Sequence, residues 1–198
     1  MRIPCLLSAL TLCAASSLAV HAQQSNSNIA RVPGATAVRV VPNSMNFTYD
    51  AAKGITANGV QLRSSTIKSN SVSPIIGSII VTINVKVLTR FEAGTTYHCS
   101  VNAIGGIIDT DTGTVDGGIE TVNNFATGSG GTYSCVLRIP FSWTFSQTPG
   151  ADSGLILAFG VGAVNTHGEV QHSTLQVDGI ENLPASGSTS QYVFNVIL

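Results

Sequence analysis

The sequence predicts an all-β fold, an antiparallel β-sandwich of about eight or nine strands. Three observations carry that expectation. Apolar residues recur at every second position over long stretches, Gly- and Pro-based turn signals fall between those stretches, and one phrase occurs twice, as GTTYHCSV at 94–101 and GTYSCVLR at 131–138. A period of two sorts side chains onto the two faces of a strand, and the 3.6-residue period of an amphipathic helix is nearly absent.

At the N-terminus, MRIPCLLSALTLCAASSLAVHA has the parts of a secretory signal peptide. Arg2 supplies the positive charge, Leu6 to Leu18 form an apolar stretch too short to span a bilayer, and VHA before Gln23 fits a small-residue cleavage site. The expected organisation is therefore a signal peptide over 1–22, a loose leader over 23–33 and one domain over 34–198. About 176 residues remain after cleavage, enough for one β domain with a full core. No Pro/Ser-rich or charged linker divides them.

The strands follow in order. ATAVRVV and SMNFTYD read as two short strands separated at Pro42. IIVTINVKVL puts Ile79, Val81, Ile83, Val85 and Val87 on one face and Thr82, Asn84 and Lys86 on the other, as in a half-buried strand. The second cysteine phrase opens the strongest pattern, in which Tyr133, Cys135, Leu137, Ile139, Phe141, Trp143 and Phe145 share a parity. Pro140 sits on the opposite parity and cannot donate to a ladder, so an edge or a bulge is expected there. GLILAFGVGAV at 154–164 is apolar on both faces, as for a strand buried between layers, with the small Ala158, Gly160 and Gly162 on one side. GEVQHSTLQVDG reads as a polar outer strand, and the C-terminal QYVFNVIL aligns Tyr192, Phe194, Val196 and Leu198. Turns are expected at Asn58-Gly59, Gly105-Gly106, Gly117-Gly118, TGSGG and Pro149-Gly150.

Of four cysteines, Cys5 and Cys13 leave with the signal peptide. Two remain in an oxidising compartment, which implies a Cys99–Cys135 disulfide. Each shares a parity with its tyrosine, so both thiols are expected to point inward and the two phrases to face each other. The first phrase has a further reading. In VLTRFEAGTTYHCSVNA, the residues Leu88, Phe91, Gly94, Thr95, Tyr97, Val101 and Ala103 resemble the corner between two late strands of fibronectin type III and immunoglobulin-like domains. That resemblance implies an immunoglobulin-like sandwich in which a tyrosine at the strand start hydrogen-bonds back to the corner backbone. It implies no function.

Charge narrows the function classes. The formal net charge is −1 and only 10% of residues are charged, with nine Lys plus Arg scattered singly. Nucleic acid therefore lacks a basic stripe to bind, and anionic lipid a polybasic patch. No later apolar run reaches the length of a membrane span. IIDTDTGTVDGGIE gathers Asp109, Asp111 and Asp116 in a Gly-rich loop, making them candidate calcium ligands; the alternative is a hairpin turn whose aspartates hydrogen-bond their own backbone. His167, Glu169 and His172 invite a zinc reading, but their strand parities diverge and surface histidines account for them better. STIK makes Ser65 and Lys68 an S-x-x-K match without the helix that motif needs. Sugar binding needs exposed aromatics, to which Tyr49 and Phe47 are the available contributors.

The expected function is thus a non-enzymatic exported module, secreted, periplasmic or at the bacterial surface, with a structural, adhesive or binding role toward a protein or cell-surface polymer. Alternatives are a pilin-like subunit that self-assembles by strand exchange, or a calcium-dependent or carbohydrate-binding module. Neither catalytic residues nor a cofactor are expected, with calcium the one candidate ion. Export is directly testable. N-terminal sequencing of the secreted protein should start at or near Gln23, and a retained Met1 would contradict the signal-peptide reading.

Overall fold

The computed structural model describes residues 45–63, 73–109, 111–149, 153–180 and 182–198. The expected signal peptide, the leader, the ATAVRVV strand and the Ser65/Lys68 pair lie outside the described residues. The described chain is all-β, with eleven strands in order: β1 (Asn46–Asp50), β2 (Gly54–Asn58), β3 (Gln61–Leu62), β4 (Ile75–Lys86), β5 (Thr96–Ile108), β6 (Thr114–Phe125), β7 (Thr127–Ser129), β8 (Thr132–Trp143), β9 (Ser153–Val164), β10 (Val170–Ile180) and β11 (Thr189–Ile197). The excess over eight or nine comes from the short β2, β3 and β7.

Two sheets pack face to face. One is five-stranded in the order β10-β9-β5-β6-β3, and the other four-stranded in the order β11-β4-β8-β7. Most neighbours are antiparallel, as expected, but β11 runs parallel to β4 and β3 parallel to β6. The main core lies between the sheets and takes the predicted parities: Ile79, Val81, Ile83 and Val85 from β4, and Cys135, Leu137, Ile139, Phe141 and Trp143 from β8, with Phe145 just beyond. Phe194, Val196 and Leu198 close it from the C-terminal end. Each fully buried aliphatic or aromatic side chain contributes on the order of 1.5–3 kcal/mol relative to exposure.

The hairpin β1–β2 forms a third layer on the outer face of the five-stranded sheet. Between them lies a second core, containing Met45, Phe47 and Ile55 from the hairpin side and Ile104, Ile108, Val115, Ile156 and Ala158 from the sheet. This explains the two-sided apolar pattern of β9, which is buried along nearly its whole length. Its small residues face the hairpin. A Cβ on Gly162 would meet the Tyr49 ring, and one on Gly160 the backbone of Thr174. Pro140 sits where expected: β7 pairs with β8 only from Thr132 to Ser134, so beyond that point β8 is an edge among the described residues.

Two expected turns are instead paired strand. Gly105-Gly106 lies within β5 and Gly117-Gly118 within β6, with Gly105 opposite Gly118 and Gly106 opposite Gly117. The physical reason is Trp143. A Cβ on Gly105 would overlap the six-membered ring of its indole, and one on Gly118 would overlap the five-membered ring. Gly105 and Gly118 form a well in the sheet that admits the one tryptophan of the chain, whereas Gly106 and Gly117 lie against the backbone of the paired strand. The true hairpin turn lies beyond them at Asp109–Gly113.

The repeated phrases do face each other. Cys99 on β5 and Cys135 on β8 come from opposite sheets, with Cα atoms 6.3 Å apart and sulfurs at bonding distance. That separation suits a disulfide. Tyr97 and Tyr133 pack beside it with ring centroids 4.5 Å apart and planes tilted by 48°. The corner hydrogen bond implied by the immunoglobulin resemblance is not made among the described residues. Tyr97 is instead held by rings, Tyr133 on one side and Phe91 on the other at 6.0 Å. Near the same corner, β6 and β7 are separated by Ala126 alone, so the chain passes from one sheet to the other there, fixed by the Ala126 amide donating to the Tyr97 carbonyl at 2.7 Å.

Closing the 36-residue loop should stabilise the fold by roughly 4 kcal/mol in the chain-entropy account. Thiol titration of the denatured, unreduced mature protein should find no free thiol, and a Cys99→Ala/Cys135→Ala variant should lose stability of that order. Two free thiols would refute the bridge.

Candidate functional site

Among the described residues a concavity lies where the turn of the β1–β2 hairpin meets the start of β5 and the end of β6. It is an open cleft of about 400 Å³, lined chiefly by Tyr49, Gly54, His98, Asn123, Asn124 and Phe125. The hairpin turn is shaped by Asp50, whose Oδ1 accepts the amides of Ala52 and Lys53, each at 2.8 Å. These backbone hydrogen bonds, that of Lys53 foremost, hold the Asp50 carboxyl below the usual range.

Gly54 follows with a φ of 76°, a conformation that disfavours a side chain, and a Cβ there would collide with Asn123 Oδ1 and Ser100 Oγ. The turn can therefore press directly on β5 and β6. The Ile55 amide donates to Ser100 Oγ at 2.8 Å, and Asn123 Nδ2 donates to the Lys53 carbonyl at 3.2 Å.

Tyr49 forms the wall nearest β9. Its hydroxyl donates to the His98 carbonyl at 3.1 Å. Burial pushes its pKa up to about 12, so it remains a neutral donor across physiological pH. His98 lies beside it, with Nε2 and Thr96 Oγ1 3.0 Å apart and its ring edge-on to Phe125 at 4.2 Å. Partial burial lowers the His98 pKa, which favours the neutral imidazole. Phe125 is 59% exposed. The cleft thus presents an aromatic edge, a neutral imidazole and carboxamides, chemistry suited to an uncharged polar ligand.

The calcium candidates are distributed differently from a cation cage. Asp109 Oδ1 accepts the amides of Asp111 at 3.0 Å and Thr112 at 3.1 Å, closing the β5–β6 turn. Hydrogen bonds from the Thr112 side chain, and then from these amides, hold its carboxyl below the usual range. Asp111 is exposed in that turn. Asp116 sits on β6, 2% exposed, and its carboxylate accepts the Ser146 hydroxyl at 2.7 Å and the Ser146 amide at 3.0 Å. Among the described residues no group of three His, Cys, Asp or Glu converges as metal ligands.

The remaining sequence candidates separate as well. His167 and Glu169 lie in the β9–β10 turn rather than on a strand, where Asn165 binds both: its Oδ1 accepts the His167 and Glu169 amides, and its Nδ2 donates to Glu169 Oε2 at 2.9 Å. His172 stands apart on β10. Tyr49 does line the cleft, whereas Phe47 is 5% exposed in the second core and offers no platform.

Phe125, Asn123 and Asn124 were not singled out by the sequence. All three are exposed at the end of β6, which the sequence does not mark, since a phenylalanine closing a strand reads as core.

Because Asp116 is buried and bonded, Asp116→Ala should destabilise the domain by roughly 1.5–3 kcal/mol, the range for charge-assisted hydrogen bonds. With Asp109 and Asp116 engaged in this way, millimolar calcium should leave the melting temperature unchanged. A calcium-dependent rise that disappears in Asp111→Ala would establish the cation site instead. Set against known proteins, the chain matches no family model, no curated protein and no solved structure.

Proposed function

We propose that the chain is an exported, non-enzymatic β-sandwich that works through its surface, as a structural, adhesive or binding module at the bacterial surface or in the periplasm. The observation that supports this reading is where the polar side chains go. Asp50, Asp109, Asp116, Asn165 and Glu169 are each bonded within turns or between strands, so these acidic and amide groups serve architecture. Catalysis draws on positioned groups with tuned pKa values aimed into a shared space. The cysteine pair at disulfide distance is in keeping with an oxidising compartment.

Within this reading the cleft favours a carbohydrate as the contacted polymer. The exposed Phe125 and the half-buried Tyr49 offer aromatic surface, and His98, Asn123 and Asn124 offer neutral polar groups. Sugars are commonly bound by such a mixture of stacking and uncharged hydrogen bonding.

The experiment is a paired screen of the purified mature protein, for turnover of ester, peptide and glycoside substrates and for binding on a glycan array. Binding without turnover, weakened at least tenfold by Phe125→Ala, is the expected result. Turnover abolished by substituting one His, Ser, Asp or Glu would overturn the non-enzymatic reading.

A further inference from the structure

The sheet edges are unequal. On the open part of the β8 edge stand Arg138 and Pro140, and β10 carries His172 and Asp178, residues that discourage a further strand. The outer edge of β11 has no such guard. Its nine residues, Thr189–Ile197, include no charged residue and no proline, and Val193 and Ile197 are 61% and 60% exposed.

The direction of its backbone groups follows from its hydrogen bonds. Leu198 donates its amide to the Lys86 carbonyl, its carbonyl accepts the Leu88 amide, and the Ser188 carbonyl accepts the Ser78 amide at 3.1 Å. Backbone groups alternate from side to side along a strand. Even-numbered positions of β11 therefore face β4, and Gln191, Val193, Asn195 and Ile197 point their N–H and C=O groups outward, where no strand pairs with them among the described residues.

The side chains of the same four residues lie on the solvent face of the four-stranded sheet and extend rows already formed there. Val193 lines up with Thr82 and Val136. Asn195 lines up with Asn84 and Ser134 in a polar ladder, in which Asn84 Nδ2 donates to Asn195 Oδ1 at 3.1 Å and Ser134 Oγ donates to Asn84 Oδ1 at 3.4 Å.

We propose that β11 pairs antiparallel with β11 of a second copy about a two-fold axis at Val193, joining two four-stranded layers into one continuous sheet. The proposal rests on the reading that the protein acts through its surface, and names its own copy as a partner. The edge is complementary to itself. With the axis at Val193, that residue meets its own copy, the Gln191 carboxamide faces that of Asn195, and Thr189 faces Ile197. Each outward residue then forms a hydrogen-bonded antiparallel pair, no like charges meet, and the Ser134–Asn84–Asn195 ladder continues into Gln191 of the partner subunit. A two-fold contact of this kind closes at the dimer.

The test is the mass of the disulfide-bonded mature protein by sedimentation equilibrium at tens of micromolar. A dimer is expected. Val193→Pro removes an amide that β4 does not use, so it should give a monomer with an unchanged circular dichroism spectrum. Val193→Lys and Val193→Glu should each weaken dimerisation at least tenfold, and mixing the two should restore a heterodimer, a rescue that misfolding does not mimic. A monomeric wild type, or a dimer that survives all three substitutions, overturns the proposal. So does a wild-type monomer that dimerises only after removal of residues 23–41, since that assigns the edge to the chain's own N-terminal segment. Glycan binding by a monomer would sink this inference and leave the proposed function standing.

Discussion

The fold depends on one constraint, that the centre of the five-stranded sheet is buried on both faces. β9 and β5 meet the four-stranded sheet on one side and the β1–β2 hairpin on the other. β9 is accordingly apolar on both faces, because neither side reaches water, while β5 keeps Ser100 and Asn102 buried and hydrogen-bonded on one side. Close approach of the hairpin then demands a small residue on its side, which is why Gly162 stands against the Tyr49 ring. The hairpin in turn docks through Gly54, Ser100 and Asn123, and its turn makes one wall of the cleft. The candidate site is therefore a by-product of covering the second face of the sheet.

Most of the fold was legible in the sequence because its physical causes are local. Period two in β4, β8 and β11 fixed which side chains enter the core, and the apolar run of β9 announced a strand between layers. The shared parity of Tyr97 with Cys99, and of Tyr133 with Cys135, placed both cysteines facing inward. What was not legible depends on partners distant in sequence. Gly-Gly reads as a turn by its own conformational freedom, yet at 105–106 and 117–118 it lies in paired strands, where Gly105 and Gly118 make room for Trp143 arriving from the other sheet. Parallel pairing of β11 with β4 leaves no local mark. The cleft was half visible, since Tyr49 was a candidate while Phe125 was hidden at the end of a long strand.

The polar residues repeat this division. Asp109 did what an aspartate in a Gly-rich hairpin turn commonly does, bonding its own backbone two and three residues on. Asp116 sits seven residues later in the same acidic stretch but points into the protein, where its carboxylate accepts the Ser146 hydroxyl and amide. Sequence proximity grouped two carboxylates that the pleat and the hairpin separate.

The parallel pairing of β11 with β4 bears on how the chain folds. Thr189 and Ser78, which meet at one end of that ladder, are 111 residues apart. Bringing such distant ends together costs about 4 kcal/mol of loop-closure entropy before any of the ladder forms. By contrast β5 with β6, and β9 with β10, are joined by tight turns and can pair early. Non-local pairing slows folding, which places this topology toward the millisecond-to-second end of single-domain rates. Until β11 docks, β4 keeps an open edge beside Ile79, Val81 and Ile83. The interval before the last strand arrives is thus the time when a folding chain is most exposed to mispairing with its neighbours.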